Sequence, residues 1–200
     1  MKWKDSNPDI GALSLSDLTR NLTLTDALRL VLLSREQPFV FIDKKVDERI
    51  IGHLNTSRLE QGGLLIGHVY STNSLKEGVS VIQITNSAES HESDSTGVSL
   101  SMSSKVWQVA NSQTENGEFV VGWYHSHPNL CAFFSGTDRH TQRSFFNNAY
   151  SLGLVIDPIR GERKWFLGPD CIELDVNRIR NSDKLSSILS SAETRREPCN

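Results

Sequence analysis

Apolar residues fall into short blocks along the chain, and the spacing within each block predicts its element. Residues 27–33, Ala-Leu-Arg-Leu-Val-Leu-Leu, are apolar around most of a helical circumference, with Thr25-Asp26 as the expected cap. Such a helix needs burial on more than one side, against the main domain or against a partner or second copy. An earlier helical turn is expected to start at Ser16 or Asp17. Pro38 ends the 27–33 helix, and Phe39-Val40-Phe41-Ile42 reads as a buried strand. Asp43 to Leu54 carries Val46, Ile50, Ile51 and Leu54 on one helical face, with His53 beside that stripe as a surface or satisfied residue. Strands follow at 64–70, buried in its first half, and at 79–84, after a turn at 76–78. Residues 86–97 are polar and predict an exposed loop in which His91, Glu92 and Asp94 are solvated. A helix over 100–112 turns Val106, Trp107 and Ala110 inward, and Asn116-Gly117 leads into a central strand, 119–124. A helix over 139–147 has Phe145 and Phe146 on its apolar side. Strand 152–156, a turn at 157–162 and strand 164–167 form a hairpin, and 171–176 adds an edge strand. The remaining residues are polar, with one weak stripe of Leu185, Ile188 and Leu189.

The 200 residues suit one domain, 38–176, with an N-terminal helical extension, 1–37, and a polar tail, 177–200. Composition is that of an ordinary soluble protein, 37% hydrophobic and 22% charged. A net charge of −3 and pI near 6.1 leave no electrostatic footprint for nucleic acid or anionic membrane. No run approaches the roughly 18 apolar residues of a membrane span. No apolar stretch follows Met1-Lys2-Trp3-Lys4, so no signal peptide is expected. Cys131, Cys171 and Cys199 are odd in number and widely spaced, which suits a reducing cytoplasm rather than a disulfide framework.

The chemistry concentrates after the central strand, in Gly122-Trp123-Tyr124-His125-Ser126-His127-Pro128 and on to Ser135-Gly136-Thr137-Asp138. Residues two apart on a strand point the same way, about 6–7 Å apart, so His125 and His127 can share one metal ion. Pro128 stops the strand, and the next ten residues can turn back to bring Asp138 in at the start of a helix. Taken alone, the His-x-His pair also fits two half-buried histidines with ordinary hydrogen bonds. With Asp138 it makes three ligands and leaves a position open, the pattern of a catalytic rather than a structural zinc site. Such a site needs a group that moves a proton. Glu60, at the entrance of the 64–70 strand, is the candidate, although a loop glutamate by itself reads as a solvated carboxylate. Ser135 is placed to donate a hydrogen bond to a developing oxyanion.

His125-Ser126-His127-Pro128 followed by Ser135-Gly136-Thr137-Asp138 resembles the JAMM motif of the MPN (JAB1/Mov34) metalloprotease family. Gly122 to Pro128 and Val155-Ile156-Asp157-Pro158 resemble the family's proteasome-lid and signalosome members, and Glu60 with Gly63-Leu64-Leu65-Ile66-Gly67 resembles its upstream strand. The resemblance covers roughly residues 39–170. It implies an α/β, cytidine-deaminase-like MPN fold, with a mixed, mostly antiparallel twisted sheet flanked by helices. It also implies one Zn2+ per chain on His125, His127 and Asp138, with Glu60 as acid/base and Ser135 as stabiliser. The implied reaction is hydrolysis after the C-terminal glycine of ubiquitin or a ubiquitin-like protein. Asn129, Leu130, Phe133 and Phe134 are expected to line the substrate channel, with Cys131 as a small buried wall residue. The short 159–163 turn leaves residues 86–98 to hold an extended tail by strand addition. A compact prokaryotic member is expected, with possible partners in a ubiquitin-like conjugation system and an antiphage setting by analogy. A peptidase acting on sulfur-carrier proteins and a non-catalytic scaffold are the alternatives.

Overall fold

The computed structural model describes residues 12–20, 22–71, 78–90, 104–115 and 117–182. Its elements are β1 (Leu13–Ser14), α1 (Leu15–Thr19), α2 (Leu24–Leu33), β2 (Phe39–Ile42), α3 (Lys44–Leu54), β3 (Gly62–Ser71), β4 (Val81–Glu89), α4 (Ser104–Gln113) and β5 (Phe119–Ser126). They continue with α5 (Gly136–Phe145), β6 (Leu152–Asp157), β7 (Glu162–Leu167), β8 (Ile172–Glu173) and β9 (Ile179–Asn181). The strands form one mixed sheet in the order β8-β7-β6-β5-β3-β4-β2-β9, with β1 also on β3. The longest ladders are antiparallel, β3 with β4 and β5, and β6 with β7. β5 and β6 run parallel, with His125 opposite Val155.

Alternation along the strands divides the core between the two sheet faces. Val46, Ile50 and Leu54 of α3 pack with Val40, Ile42, Leu65, Val69, Ile82 and Leu154. Val106 and Ala110 of α4 pack on the other side with Leu64, Ile66, Trp123, Phe134, Phe146 and Val155. A third cluster joins Leu15 and Leu30 of the N-terminal helices to Phe39, Phe41, Tyr70 and Val81. The opposite side of α2 leaves Leu24, Leu28, Leu32 and Leu33 exposed. β1 pairs with β3 and β9 with β2, so both the N-terminal extension and the first residues of the tail add strands to the sheet.

Several boundaries differ from expectation for local reasons. The caps lie two residues earlier than expected, at Ser14 and Thr23, whose side chains accept N–H groups of the first turn. Residues 86–89 are strand rather than loop, with Ser87 and Ala88 buried, because β4 pairs with β3 as far as Gly63. The 91–98 part of that expected loop lies outside the described residues. β3 is buried beyond its first half, with only His68 half-buried. Phe145 is exposed and Phe146 alone turns inward. The expected 171–176 edge strand is confined to Ile172–Glu173.

β3 can lie this close to its neighbours only where it lacks side chains. A Cβ on Gly63 would stand 2.1 Å from the Ala88 carbonyl oxygen and 2.7 Å from the Tyr124 hydroxyl. Tyr124 in turn hydrogen-bonds the buried His53 Nδ1 at 3.1 Å, which ties α3 to the central strand. A Gly63→Ala variant is therefore expected to lose about 1–3 kcal/mol or more of stability, because the clash is with backbone that cannot move alone. Urea denaturation measures this, and a midpoint equal to the parent's would refute the packing account.

Candidate metal centre

β5 ends at the parallel ladder with β6, and its last residues form the floor of the site. Trp123 and His125 share one face, and their rings stack at 4.5 Å with only 7° between planes. Trp123 Nε1 donates to Gln142 Oε1 at 2.7 Å, and Gln142 Nε2 donates to the Phe146 and Ser151 carbonyls. Gln142 is fully buried on α5, one turn after Asp138. It therefore links the strand that carries His125 to the helix that carries Asp138. His127 lies one residue past the strand, held by its N–H to the Ile156 carbonyl.

α5 begins with a capping box. Ser135 Oγ accepts the Asp138 N–H at 3.2 Å, and Asp138 Oδ2 accepts the Ser135 N–H at 2.7 Å. Oδ2 is thus engaged by the helix start on one side and faces His127 on the other, while Oδ1 faces His125. His125 Nε2 lies 3.2 Å from Oδ1, His127 Nε2 lies 3.5 Å from Oδ2, and the two Nε2 atoms are 3.1 Å apart. All three residues are buried, and they form the group of potential metal-holding side chains found among the described residues.

These separations fit zinc. Bonds of about 2.0–2.1 Å in a tetrahedron put neighbouring ligand atoms about 3.3 Å apart, and the donors are two imidazoles and a carboxylate. The Nδ1 atoms of His125 and His127 are buried without a partner in hydrogen-bond geometry, and the Cys131 backbone lies by the His127 ring. Glu60 Oε1 stands 3.8 Å from His127 Nε2, outside the convergent trio. Its backbone neighbour Gln61 is clamped to Ser126, whose N–H donates to the Gln61 carbonyl while its Oγ accepts the Gln61 N–H. Ser126 points away from both histidines, and sequence reasoning had assigned it nothing.

Burial raises the Glu60 pKa, against the opposing pull of His127 and His125. Asp138 goes the other way. Burial opposes its charge, but the two imidazoles and the Ser135 side chain hold it far below the ordinary carboxylate range. Burial also disfavours a charged His127, yet Asp138 and Glu60 outweigh this and raise its pKa above the ordinary imidazole value.

The described chemistry matches known proteins. The family model of prokaryotic homologues of the JAB domain matches residues 43–167. The chain belongs to that family. It is a JAMM/MPN protein with the MPN fold. Similar curated proteins include the ubiquitin carboxyl-terminal hydrolase RPN11 of Saccharomyces cerevisiae, 40% identical over 70 residues, covering 32% of this chain and 23% of that one. The 26S proteasome non-ATPase regulatory subunit 14 of Drosophila melanogaster is 41% identical over 70 residues, with 32% and 23% covered. The matched segments thus span less than a quarter of those relatives' length. A solution structure, protein DSY2949 from Desulfitobacterium hafniense, shares the fold with a TM-score of 0.56 at 22% identity, covering 72% of this chain and 92% of that one. No helix among the described residues is long and apolar enough to cross a membrane.

The residues between the ligands divide. Asn129 and Cys131 have left-handed backbones, φ 63° and 70°. Leu130 is exposed, and Phe133 is exposed with its ring 5.0 Å from that of His127. Phe134 is instead buried against Trp123, His125 and Phe166, so it backs His125 and does not line an open channel. Cys131 is half-exposed rather than buried, because the left-handed turn directs its Sγ to within 3.2 Å of Arg160 Nη1.

A raised His127 makes metal binding compete with a proton. Zinc affinity is expected to fall about tenfold per pH unit once pH drops below the His127 pKa, which Asp138 and Glu60 hold above the ordinary imidazole value. Competition with a chromophoric chelator between pH 8 and 6 measures it, and a flat Kd across that range would contradict the coupling.

Proposed function

We propose that this protein is a zinc-dependent isopeptidase or peptidase that cleaves after the C-terminal glycine of ubiquitin or a ubiquitin-like modifier. The observation that carries the reading is the convergence of three buried donors with a desolvated carboxylate just outside them. Membership of the JAB family, and the likeness to a protein named as a ubiquitin carboxyl-terminal hydrolase, support the substrate class.

His125, His127 and Asp138 would hold one zinc ion, which when bound supplies Lewis acidity toward a carbonyl and toward water. Asp138 suits a ligand because it stays ionised. Glu60 suits proton transfer because burial moves its pKa upward, toward neutrality. It takes the proton of the attacking water and delivers it to the departing amine. The Ser135 hydroxyl accepts from Asp138 and keeps its own hydrogen to donate to the substrate oxyanion, a contribution of about 2.7–4 kcal/mol for one well-placed donor. Leu130 and Phe133 offer apolar contact to the substrate's tail, with Asn129 shaping the turn between. The cytoplasm, conjugation-system partners and an antiphage role accord with this reading as analogy. A sulfur-carrier protein would satisfy the same chemistry.

Glu60→Gln preserves shape and removes the base. It is expected to keep about one zinc per chain by metal analysis while cleavage of an isopeptide-linked or linear ubiquitin-like substrate falls about 10²–10⁴-fold. Undiminished turnover in that variant would remove Glu60 from the mechanism. A preparation that takes up no zinc when zinc is supplied would defeat the enzyme reading and favour a scaffold.

A further inference from the structure

The loop that follows the histidines is held by carboxylates of the β6–β7 turn. Asp157 is fully buried. Its Oδ1 accepts the N–H groups of Asn129 at 3.0 Å, Ile159 at 3.0 Å and Arg160 at 3.2 Å. Its Oδ2 accepts the Cys131 N–H at 2.9 Å and lies 3.5 Å from Arg160 Nε. Beside it, Glu162 Oε2 accepts the Ala132 N–H at 3.3 Å, and Arg160 reaches the Cys131 sulfur. The N–H groups of Asn129, Cys131 and Ala132 are therefore satisfied by side chains of a distant turn, while that of Leu130 donates to the His127 carbonyl. This matters because Asn129 and Cys131 are non-glycine residues in left-handed conformations, which persist only where the surroundings impose them.

We propose that Asp157 is the positioning residue of the substrate wall. It fixes residues 129–131 so that Leu130 and Phe133 stand beside the metal centre, and it thereby governs capture of the substrate's tail rather than the hydrolytic step. The identity of the captured substrate rests on the isopeptidase reading above, whereas the clamp itself does not. A carboxylate is required here because every partner is a donor and both oxygens are used. An asparagine would turn an NH2 group toward one set of these N–H groups. Although burial opposes its charge, the backbone N–H groups of Asn129, Cys131, Arg160 and Ile159 hold the Asp157 carboxyl below its ordinary range.

The test is Asp157→Asn in the full chain, with two independent readouts. For cleavage of a ubiquitin-like substrate, KM is expected to rise about tenfold or more, with kcat within about threefold and zinc content unchanged. In the metal-free protein without substrate, the amides of Asn129 and Cys131 are expected to exchange with deuterium about tenfold faster or more, while those of Trp123 and Val155 keep their rates. Unchanged KM with unchanged exchange would overturn the proposal, as would loss of zinc with kcat and kcat/KM falling together. Should the variant fail to fold, Arg160→Ala leaves Asp157 in place and removes the outer tie to Cys131. It is expected to raise KM about threefold with kcat unchanged, and an unmoved KM together with unmoved loop exchange would overturn the proposal. If the parent chain binds zinc but cleaves no isopeptide or peptide substrate, the functional reading fails alone, and the exchange experiment still decides whether Asp157 holds the loop.

Discussion

Two imidazoles and a carboxylate are pressed together in a corner that solvent hardly reaches, and the sheet, the helix and the stacked rings around them are arranged to keep them there. Burying such donors without compensation is costly. The fold offsets part of that cost locally. Asp138 is satisfied on one oxygen by the start of its own helix, and His125 lies flat against Trp123. What remains is a set of lone pairs aimed at one point, a deficit that a cation removes. The same requirement explains the tether through Gln142. A site built from a strand end and a helix start stays convergent only if those two elements cannot slide past one another, and the buried Gln142 amide of the helix accepts from Trp123 of the strand.

The two carboxylates of the site sit in environments that drive them apart. Asp138 has two imidazoles and the Ser135 side chain to stabilise its charge, and it ionises readily. Glu60 is desolvated and has only weaker electrostatic help from the histidines, so its proton is held more firmly. Separation of this kind suits one of two chemically similar groups to metal binding and the other to proton transfer, the roles proposed above. The division depends on backbone placement more than on residue type. Glu60 is where it is because Gln61 is locked to Ser126 on the far side of the same strand that presents the ligands.

Much of this was legible in the sequence, and the reasons are specific. The His-x-His spacing and the distance to Asp138 encode their own geometry, because a strand has a period of two and a helix start orients its first acidic residue. Strands β2, β3, β5 and β6 announce themselves as apolar blocks. Features that depend on contacts between distant segments were hidden. β9 is three ordinary polar-flanked residues whose strand character comes from lying beside β2. Residues 86–89 are polar in composition but extend β4 because β3 is long enough to pair with them. Asp157-Pro158 reads as a turn, and it is one, but nothing in that dipeptide indicates that its carboxylate reaches the 129–131 loop. Adjacent Phe133 and Phe134 look equivalent in sequence. The loop's path sends one outward beside His127 and the other into the core behind His125.

The buried trio and the loop between its members therefore rest on separate supports in this architecture. The ligands rest on β5 and α5, which are joined by Gln142 and packed on Trp123 and Phe134. The wall between them rests on the β6–β7 turn through Asp157 and Glu162. A side chain such as Leu130 can change without disturbing a metal ligand, because it contributes nothing to the hydrogen bonds that set the loop's path. The path itself is less free. Asp157 reaches the backbones of Asn129 and Cys131 together, and the loop must still return to place Ser135 at the helix start. Inserting a residue between 129 and 131 would detach the loop from its clamp, and inserting one between 131 and 135 would misplace the cap that orients Asp138. The spacing between the histidines and Asp138 is thus constrained twice, once by the metal geometry and once by the carboxylate that holds the loop between them.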